Sequence, residues 1–312
     1  GQHAMFRCYA PIIRQLRQRF RLVGMSRSMD IDDIGKAEFD EWHEVQSDPL
    51  ILEAIVATIN KIEPDIVYHP SLGMAMWWVA LSTVKLAPIH MATLGHPAST
   101  MSPMVDYMLC DQGAIGDPSL FSERIVEYPN GSARYVLRTD EDVPEPCTGE
   151  VVDNTIHIAV PAMLCKVSVP FLKACKRISD TATRPVRFHF FINMLGVNLH
   201  QAAREIRDWL PGSKIYERTA YNIYLEHLKK CHLHLCTFPF GGTNSNIDSM
   251  ILGIPLIALL GDQPHERFDA MMIRRSLLPQ ANVATTREEF IARSVLLIDN
   301  DDARNLQRDH LR

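Results

Sequence analysis

Two rhythms of apolar and polar residues alternate along this chain. Short runs rich in β-branched residues are followed by longer stretches in which apolar side chains recur with the period of a helix. Strands that alternate with helices in this way are typical of βαβ units and parallel sheets. The pattern therefore predicts an α/β fold.

The same pattern places the elements along both halves of the chain. In the first half we expect helices near 9–19, 48–61 and 73–84, and strands at 20–25, 66–69, 89–93 and 105–110. In the second half we expect strands at 155–160, 187–192, 214–217, 233–237 and 256–260, and helices near 168–179, 198–209, 222–230, 246–252, 265–276 and 287–298. Five strands with intervening helices predict a doubly wound, Rossmann-like domain.

A stretch dense in prolines and acids, residues 139–152, separates the halves and makes a good domain boundary. A chain of 312 residues is long enough for two domains. We expect an N-terminal Rossmann-like lobe over 1–145, a C-terminal one over 146–312, and a cleft between them. Because the first lobe opens with a helix and the chain ends soon after the helix near 287–298, we also expect that flanking segments are missing.

Charge and composition narrow the function classes. The formal net charge of -5 gives no general attraction for nucleic acid or acidic membrane. No uninterrupted apolar run approaches the ~20 residues that cross a bilayer. Seven cysteines without a CxxC pair argue against a disulfide framework and suit a reducing cytosol. These observations predict a cytoplasmic protein with no membrane span and no nucleic-acid partner.

One short segment could bind a metal. Zinc needs closely spaced thiolates or imidazoles, and Cys231, His232, His234 and Cys236 are the nearest candidates. Their alternation also fits a strand that is buried on both faces. We favour core packing and expect no metal.

The strongest local signal for a ligand site is the segment Thr237–Asp248. A buried strand ends at its start, a turn with Gly241 and Gly242 follows, and a helix begins two residues later. The polar residues at this helix start are Thr243, Asn244 and Ser245. The free N–H groups of a helix start form an anion site that suits phosphate.

The same segment has a plainer interpretation. Thr243 or Asn244 could simply cap the helix after a glycine turn. If the turn binds a nucleotide instead, Asp248 can accept hydrogen bonds from ribose hydroxyls. The segment lacks the Lys-Ser/Thr pair of a P-loop, and the chain lacks the GxGxxG of a nicotinamide dehydrogenase.

Two further side chains follow strands and are expected at the ligand-binding edge. Lys166 comes after the strand at 155–160, where its ammonium could neutralise a diphosphate; it could equally be a surface lysine. His96 lies in a polar loop after the strand at 89–93, and its imidazole could act as a base or contact substrate. A solvated loop histidine is the alternative.

Aromatic and charged pairs complete the candidates. Tyr221 and Tyr224 begin a predicted helix and could frame a base or ribose, although packing of the first turn explains them equally well. Trp77 and Trp78 lie in a strongly apolar helix, which indicates core burial. The pair His265-Glu266 is typical of a charged helix start near the ligand-binding edge.

Several of these segments together resemble a known family, the bacterial high-molecular-weight-adhesin glycosyltransferases. These are cytoplasmic N-glycosyltransferases related to protein O-GlcNAc transferase. The matching segments are Tyr68-His-Pro-Ser-Leu-Gly-Met74, Leu86-Ala-Pro88, Leu94-Gly-His-Pro-Ala98, Phe238-Pro-Phe-Gly-Gly-Thr-Asn244 with Asp248, and His265-Glu266. They are spread over most of the chain in one order, which makes the resemblance specific.

The resemblance implies a GT-B fold, a UDP-sugar as co-substrate, no metal or other cofactor, and inversion at the anomeric carbon. In the N-glycosyltransferase branch the acceptor is the asparagine of Asn-X-Ser/Thr, for example in an adhesin, and the sugar is usually glucose. In the O-GlcNAc branch the acceptor is serine or threonine. The histidine of Leu-Gly-His-Pro is what the N-glycosylating branch carries, so His96 favours asparagine.

The resemblance also assigns roles to residues. Lys166 matches the lysine that contacts the donor phosphates, and Tyr224 matches a position beside the nucleotide. The UDP-sugar-binding set is then Lys166, Tyr221, Tyr224, Gly242, Thr243, Asn244, Ser245 and Asp248. The catalytic candidates are His96 and Lys166.

The chain departs from the family pattern in two segments. A Cys-Lys-Thr-Gly segment appears here as Ala258-Leu-Leu-Gly261, and Gly-Asn-Thr-Asn-Gly appears as Gly241-Gly-Thr-Asn-Ser245. These departures leave the sugar and the acceptor class open. Relatives also carry an all-helical N-terminal region and a C-terminal helical segment after the last strand. We expect neither in this chain and predict that a partner or flanking segment supplies them.

The predicted function is direct displacement of UDP from a UDP-sugar by an asparagine acceptor. Three alternatives remain: a Ser/Thr glycosyltransferase like O-GlcNAc transferase, a sugar-nucleotide epimerase of the same architecture, and a non-catalytic lobe that binds nucleotide sugar or a partner within a larger assembly.

Overall fold

A computed structural model describes residues 4–46, 51–93, 95, 97–128, 135 and 145–312 of the chain. The chain divides into two compact units, Gly1–Val143 and Pro144–Arg312. Residues 139–144 of the expected linker lie outside the described residues, as does His96.

The N-terminal unit holds two parallel sheets among its described residues. β1 (Val23–Ser26) pairs with β2 (Glu41–Glu44). The second sheet joins, in chain order, β3 (Ile66–His69), β4 (Ile89–Thr93), β5 (Tyr107–Asp111) and β6 (Arg124–Tyr128). The helices of this unit are α1 (Ala4–Arg17), α2 (Asp33–Lys36), α3 (Leu52–Ile62), α4 (Met76–Leu81) and α5 (Gln112–Ile115).

A small apolar core joins α3 and α4 in this unit. Its buried members are Val45, Ile55, Ile59, Leu81 and Leu86. Trp77 and Trp78 pack against it with their rings edge to face, 4.8 Å apart. The two indoles are only partly buried, so the expected core burial is confirmed in part.

The C-terminal unit is built on one six-stranded parallel sheet. Its strands are β7 (Ile156–Val160), β8 (Val186–Phe191), β9 (Lys214–Tyr216), β10 (Leu233–Leu235), β11 (Leu256–Leu259) and β12 (Val283–Ala284). Its helices are α6 (Val169–Thr181), α7 (Gly196–Trp209), α8 (Tyr221–Leu228), α9 (Asn244–Ile251), α10 (Pro264–Arg275), α11 (Arg287–Asp299) and α12 (Asp301–Leu311). The predicted α/β fold with parallel, Rossmann-like sheets is therefore confirmed.

The order of these strands fixes where a ligand can bind. Across the sheet the order is β9-β8-β7-β10-β11-β12, which is the Rossmann order 3-2-1-4-5-6. The order reverses between β7 and β10, so the loops after these two strands leave toward opposite sides and open a crevice at their carboxyl ends. The segments that hold Lys166 and the glycine turn are the loops that follow β7 and β10.

The central strands are apolar because both faces of the sheet are covered. Ile158 on β7 lies between Phe188 on β8 and Leu233 on β10, and all three side chains are buried. Phe171 and Phe290 pack with Phe238 at the start of the glycine turn, with ring centroids 5.4 and 5.3 Å from that of Phe238. The core therefore reaches directly beneath the loop after β10.

The sequence pattern missed six short or polar elements: β2, β6, β12, α2, α5 and α12. Helix α12 follows α11 in a stretch to which the sequence pattern assigned no element. The buried residues of α12 are Arg304, Gln307 and Arg308, so its inward face carries no apolar period. Arg304 is fully buried and donates to the carbonyls of Leu297 and Ile298 at 2.6 and 3.1 Å.

Candidate functional site

Lys166 points at the glycine turn. It ends a short 3-10 helix, Leu164–Lys166, in the loop after β7. Its Nζ donates to the Gly241 carbonyl at 2.5 Å and lies 4.1 Å from the centroid of the Phe240 ring. The surface-lysine alternative does not describe this side chain, because its ammonium is held against the backbone of the turn.

A second bond joins the same two loops. The Ser168 hydroxyl donates to the Phe238 carbonyl at 2.7 Å and also accepts the Phe171 N–H as the N-cap of α6. The loop after β7 is thus connected to the loop after β10 at two points. This fixes the relative position of Lys166 and the turn.

The electrostatics around Lys166 are those of a partly buried cation. Burial lowers the pKa of Lys166, and the nearby Asp269 carboxylate opposes that shift. Phe240 adds a favourable cation–π contact to the charged form. Asp269 and Phe240 thus both favour the charged ammonium, and a partly buried ammonium suits the binding of an anion.

Close contacts surround both glycines of the turn, and the one at Gly241 is the stricter. A Cβ at Gly241 would lie 1.5 Å from Oδ2 of Asp269, and a Cβ at Gly242 would lie 2.3 Å from the Ser245 hydroxyl. Asp269 is buried and hydrogen-bonded, so a side chain at Gly241 would displace the support of the turn. The Ser245 hydroxyl can rotate away from a side chain at Gly242.

Helix α9 begins at the crevice, and its N-cap residue does not cap it with a side chain. Thr243 is the N-cap residue, and within the described part of the chain its side chain makes no capping hydrogen bond. Capping by Thr243 therefore does not explain this residue. The amino end of α9, with Asn244 and Ser245, brings its partial positive charge to the same edge as Lys166.

Asp248 and the two tyrosines lie beside this helix start. Asp248 is buried, and its Oδ1 accepts the Tyr221 hydroxyl at 2.6 Å. The rings of Tyr221 and Tyr224 are 6.0 Å apart, and Tyr224 meets Phe191 edge to face at 5.3 Å. Both tyrosines pack against a buried apolar cluster, so packing accounts for their rings and the bond to Asp248 ties α8 to α9.

The sequence pattern missed Asp269, which lies behind the turn. This carboxylate is buried on α10 and accepts the Gly242 N–H at 3.1 Å and the Asn246 amide at 2.7 Å. Burial raises its pKa to about 7, although the Asn246, Lys166 and Gly242 contacts act in the opposite direction. Asp269 lies one helical turn before the buried Ile273, so an acid on the apolar face of α10 was the available signal.

His265 and Glu266 make different contacts at the start of α10. Glu266 accepts the Gln263 N–H at 3.0 Å in a capping box, as expected of a charged helix start. The His265 ring meets the edge of Phe240 with centroids 6.0 Å apart. Phe240 also covers Lys166, so His265 supports the Lys166 side of the crevice through the Phe240 ring.

The described residues on either side of His96 in the sequence contact two other loops. A Cβ at Gly95 would lie 2.1 Å from the Pro70 carbonyl oxygen, so the loops at the carboxyl ends of β3 and β4 touch there. After His96 in the sequence, the Thr100 N–H and the Ser99 hydroxyl donate to the buried Glu123 at 2.7 and 2.9 Å, at the amino end of β6. The Gly95 contact lies at the edge for which the sequence predicted this histidine.

Two of the family-like segments of the N-terminal unit are tied by a buried histidine pair. His69 Nε2 and His90 Nδ1 are 3.2 Å apart, and His90 Nε2 accepts the N–H groups of Leu86 and Ala87 at 3.0 and 3.2 Å. Burial lowers the pKa of both rings, that of His69 to about 4. The pair is therefore neutral at pH 7 and serves to position the backbone.

The four metal candidates on and around β10 have separate partners. His232 bonds the backbone of His157 and Glu150, and His234 Nδ1 lies 2.9 Å from the Ser249 hydroxyl. Cys231 and Cys236 are buried and contact His227 and Asn246. Within the described ranges no group of three or more His, Cys, Asp or Glu residues is arranged to hold a metal ion.

A pocket of about 370 Å³ opens beside β9, two strands from β7. Its walls are Leu199, Ile215, Tyr216, Glu217, Thr219, Ile223 and His227. It combines apolar and aromatic side chains with one carboxylate, as small-molecule pockets commonly do.

Among the helices described, none is both long and apolar enough to cross a membrane.

Known proteins are similar to this chain in sequence and in fold. Over 97% of its length the chain is 31% identical to a UDP-glucose:protein N-beta-glucosyltransferase of Actinobacillus pleuropneumoniae serotype 5b. Its fold is similar to that of an O-GlcNAc transferase variant from Thermobaculum terrenum, with a TM-score of 0.82 at 19% identity, over all of this chain and 60% of that one. It also matches the lipopolysaccharide outer core galactosyltransferase WaaB, with a TM-score of 0.54 at 13% identity, over all of this chain and 91% of that one. No family model matches the chain.

The sequence match covers nearly all of this chain but only about half of the relative. The chain spans 49% of the length of the Actinobacillus glucosyltransferase. The structural matches, at 19% and 13% identity, establish the fold. The resemblance found in the motifs is confirmed: the chain is similar in sequence to UDP-glucose:protein N-beta-glucosyltransferases of Actinobacillus pleuropneumoniae, and it has the GT-B fold.

Proposed function

We propose that this chain is the catalytic part of an inverting, metal-independent glycosyltransferase that moves glucose from UDP-glucose to the asparagine of Asn-X-Ser/Thr in a protein. The observation that carries the proposal is the meeting of Lys166 and the Gly241-Gly242 turn at the switch point of the C-terminal sheet. The homologue of 31% identity, named as a UDP-glucose:protein N-beta-glucosyltransferase, supports the choice of donor and acceptor.

The diphosphate of the donor is proposed to bind between Lys166 and the amino end of α9. An ammonium group and the free N–H groups of a helix start both favour negative charge at that point. The turn is narrow because two glycines form it, so backbone can approach the phosphates closely. Thr243, Asn244 and Ser245 add polar groups at the same place.

The nucleoside is proposed to extend from the switch point toward α8. Neighbouring strands lie ~4.8 Å apart, so the pocket beside β9 is about 10 Å from β7 along the sheet edge. That span matches a nucleoside attached to a diphosphate at Lys166. We propose that Asp248, which accepts the Tyr221 hydroxyl, also accepts a ribose hydroxyl, and that Tyr224 lies beside the nucleotide.

The transfer step needs a stabilised leaving group. The acceptor amide nitrogen attacks the anomeric carbon from the face opposite the diphosphate, and a C–N bond forms as the bond from that carbon to the phosphate oxygen breaks. The electron pair of the broken bond stays on the UDP oxygen, and the amide nitrogen releases one proton, which passes to solvent. Lys166 and the amino end of α9 stabilise the charge that grows on UDP, which a bound metal does in other transferases.

The acceptor side is assigned to the N-terminal unit through His96. Its neighbours are held by Glu123 and by the contact between Gly95 and Pro70. We propose that His96 contacts the acceptor or the sugar, and that its presence favours asparagine over serine or threonine. A helical segment or partner chain beyond these 312 residues is proposed to help hold the acceptor.

A cytoplasmic location is part of the proposal. All seven cysteines are free thiols, and Cys165 is exposed. Exposed and buried free thiols in this number are typical of a reducing compartment.

Peptide transfer followed by mass spectrometry tests the proposal. The full chain is incubated with UDP-glucose or UDP-GlcNAc and with a peptide that contains Asn-X-Thr, and with matched peptides in which Gln replaces Asn or Ser is the only acceptor. We expect one hexose on the Asn-X-Thr peptide with UDP-glucose, and none on the Gln peptide. Sugar on the Ser peptide would instead identify a Ser/Thr glycosyltransferase, and a chain that binds UDP without releasing it from UDP-sugar would be a binding lobe.

A further inference from the structure

A buried carboxylate supports the proposed diphosphate site from behind. Asp269 is 6% exposed, and its Oδ1 accepts both the Gly242 N–H at 3.1 Å and the Asn246 amide at 2.7 Å. One donor belongs to the glycine turn and the other to the first turn of α9. A single oxygen therefore holds both parts of the segment that faces the crevice.

The second oxygen of the carboxylate occupies the space beside Gly241. A Cβ at Gly241 would lie 1.5 Å from Oδ2, so the carboxylate packs against the Cα of this glycine. The carbonyl of the same glycine accepts the Lys166 ammonium at 2.5 Å. Asp269, Gly241 and Lys166 form one connected set that runs from α10 to the loop after β7.

Among the described residues, few charged groups act on Asp269. Lys166 is the cation on the loop after β7, and its interaction with the carboxylate favours the charged form of both groups. Cys236, just after β10, also faces the carboxylate, and burial keeps its thiol neutral by raising its pKa well above the usual range. On α10 itself, the His265 ring lies against Phe240, with ring centroids 6.0 Å apart. Burial raises the pKa of Asp269 to about 7.

We propose that Asp269 is a positioning residue of the donor site, which holds the segment 241–246 in place for the diphosphate and takes up a proton when the diphosphate binds. The inference rests on the proposed function, since it needs a diphosphate in front of this turn. Negative charge on the crevice side makes a carboxylate on the other side harder to ionise. Lys166, the counter-charge of Asp269, then pairs with the donor.

Two variants separate the hydrogen bonds of Asp269 from its charge. Asp269→Asn keeps an Oδ1 acceptor and the shape of the side chain, but it cannot titrate. Asp269→Ala leaves the Gly242 N–H and the Asn246 amide without their acceptor. Because an unsatisfied buried donor is costly, we expect Asp269→Ala to weaken UDP-glucose binding about tenfold or more, and Asp269→Asn to stay within about threefold of the wild type.

Isothermal titration calorimetry of UDP-glucose, without acceptor and in buffers of different ionisation enthalpy near pH 7, measures affinity and proton uptake together. We expect the wild type to take up a fraction of a proton per UDP-glucose bound, and Asp269→Asn to take up none. If Asp269 had only a structural role, Asp269→Asn would take up as many protons on binding as the wild type. Loss of proton uptake with affinity unchanged therefore identifies titration of Asp269. If Asp269→Ala fails to fold, the comparison of wild type with Asp269→Asn still decides.

Asp299→Asn is the matched control. Asp299 ends α11 and accepts the Thr183 N–H at 3.0 Å, on the amino side of β8 and therefore at the opposite edge of the sheet. We expect wild-type affinity and proton uptake in this variant. Wild-type affinity in Asp269→Ala, or equal proton uptake in wild type and Asp269→Asn, would overturn the inference alone. A wild-type chain that binds no UDP-glucose would overturn the proposed function with it.

Discussion

The two units of this chain stabilise the segments next to their strands in different ways. In the C-terminal unit the contacts carry charge: the Lys166 ammonium bonds the Gly241 carbonyl, and the Asp269 carboxylate holds the other side of the turn. In the N-terminal unit the buried histidine pair, His69 and His90, holds the segment that leads into β4, and it stays neutral because burial lowers the pKa of both rings. The charged contacts at the carboxyl edge of the C-terminal sheet suit a diphosphate.

Removal of the Lys166 ammonium is expected to have the largest effect. Lys166→Ala is expected to reduce transfer from UDP-glucose by about 10²–10³, because it removes one of the groups that stabilise charge on the leaving UDP. Initial rates of UDP release with an Asn-X-Thr peptide measure the effect. Lys173→Ala, an exposed lysine on the neighbouring α6, serves as control and is expected to behave like the wild type. Near-normal turnover in Lys166→Ala would remove Lys166 from the mechanism.

Alanine at one glycine in each unit sharpens the comparison. A methyl group at Gly241 would collide with Asp269, and one at Gly95 would collide with the Pro70 carbonyl. Overpacking of this kind costs about 1–3 kcal/mol, so each variant is expected to lose about 5- to 150-fold in its own function. Gly241→Ala should weaken UDP-glucose binding, whereas Gly95→Ala should keep that affinity and lose peptide transfer.

Calorimetry with UDP-glucose and the peptide assay separate these two outcomes. Circular dichroism controls for folding in both variants. Equal loss of donor affinity in Gly241→Ala and Gly95→Ala would break the division of labour between the units.

Acid stability is the smallest of the expected differences. Burial lowers the pKa of His189 to about 3, His232 to about 4 and His234 to about 3 in the C-terminal unit, and that of His69 to about 4 in the N-terminal unit. Between about pH 6.5 and 4 the unfolded chain binds more protons at these sites than the folded chain, so their contribution to stability is lost as pH falls. The raised pKa of Asp269 acts in the opposite sense over this window and offsets one histidine.

Each fully shifted group changes the slope by about 1.4 kcal/mol per pH unit, and more buried histidines with a lowered pKa lie in the C-terminal unit, so we expect that unit to lose stability faster than the N-terminal unit. Native-state hydrogen exchange at pH 7, 6 and 5, corrected for intrinsic rates, measures the opening free energy of each unit. A C-terminal unit that gains stability on acidification, or loses it more slowly than the N-terminal unit, would contradict this assignment.

The sequence predicted the long, apolar elements well. β3 and β4 were predicted with the bounds that the structure has, Ile66–His69 and Ile89–Thr93, because β-branched residues cluster there between turn residues. β12 has only two residues, and α12 buries arginine and glutamine side chains in place of an apolar stripe. Elements of these two kinds carry no periodic signal, so pattern analysis could not find them.

The site was predicted only as far as local sequence allows. Lys166 and the glycine turn each follow a predicted strand, and the carboxyl ends of parallel strands share one edge, so their proximity could be expected. The order of strands that makes β7 and β10 neighbours is set by packing of the whole unit. Asp269 lies 27 residues beyond Gly242 along the chain and reaches it only through the fold.

A crystal structure of the chain with UDP would test the central claim most directly. The diphosphate is expected within hydrogen-bond distance of Lys166 Nζ and of the backbone N–H groups that begin α9, with the ribose near Asp248. A nucleotide bound elsewhere, with the Lys166 ammonium still held by the Gly241 carbonyl, would contradict the account.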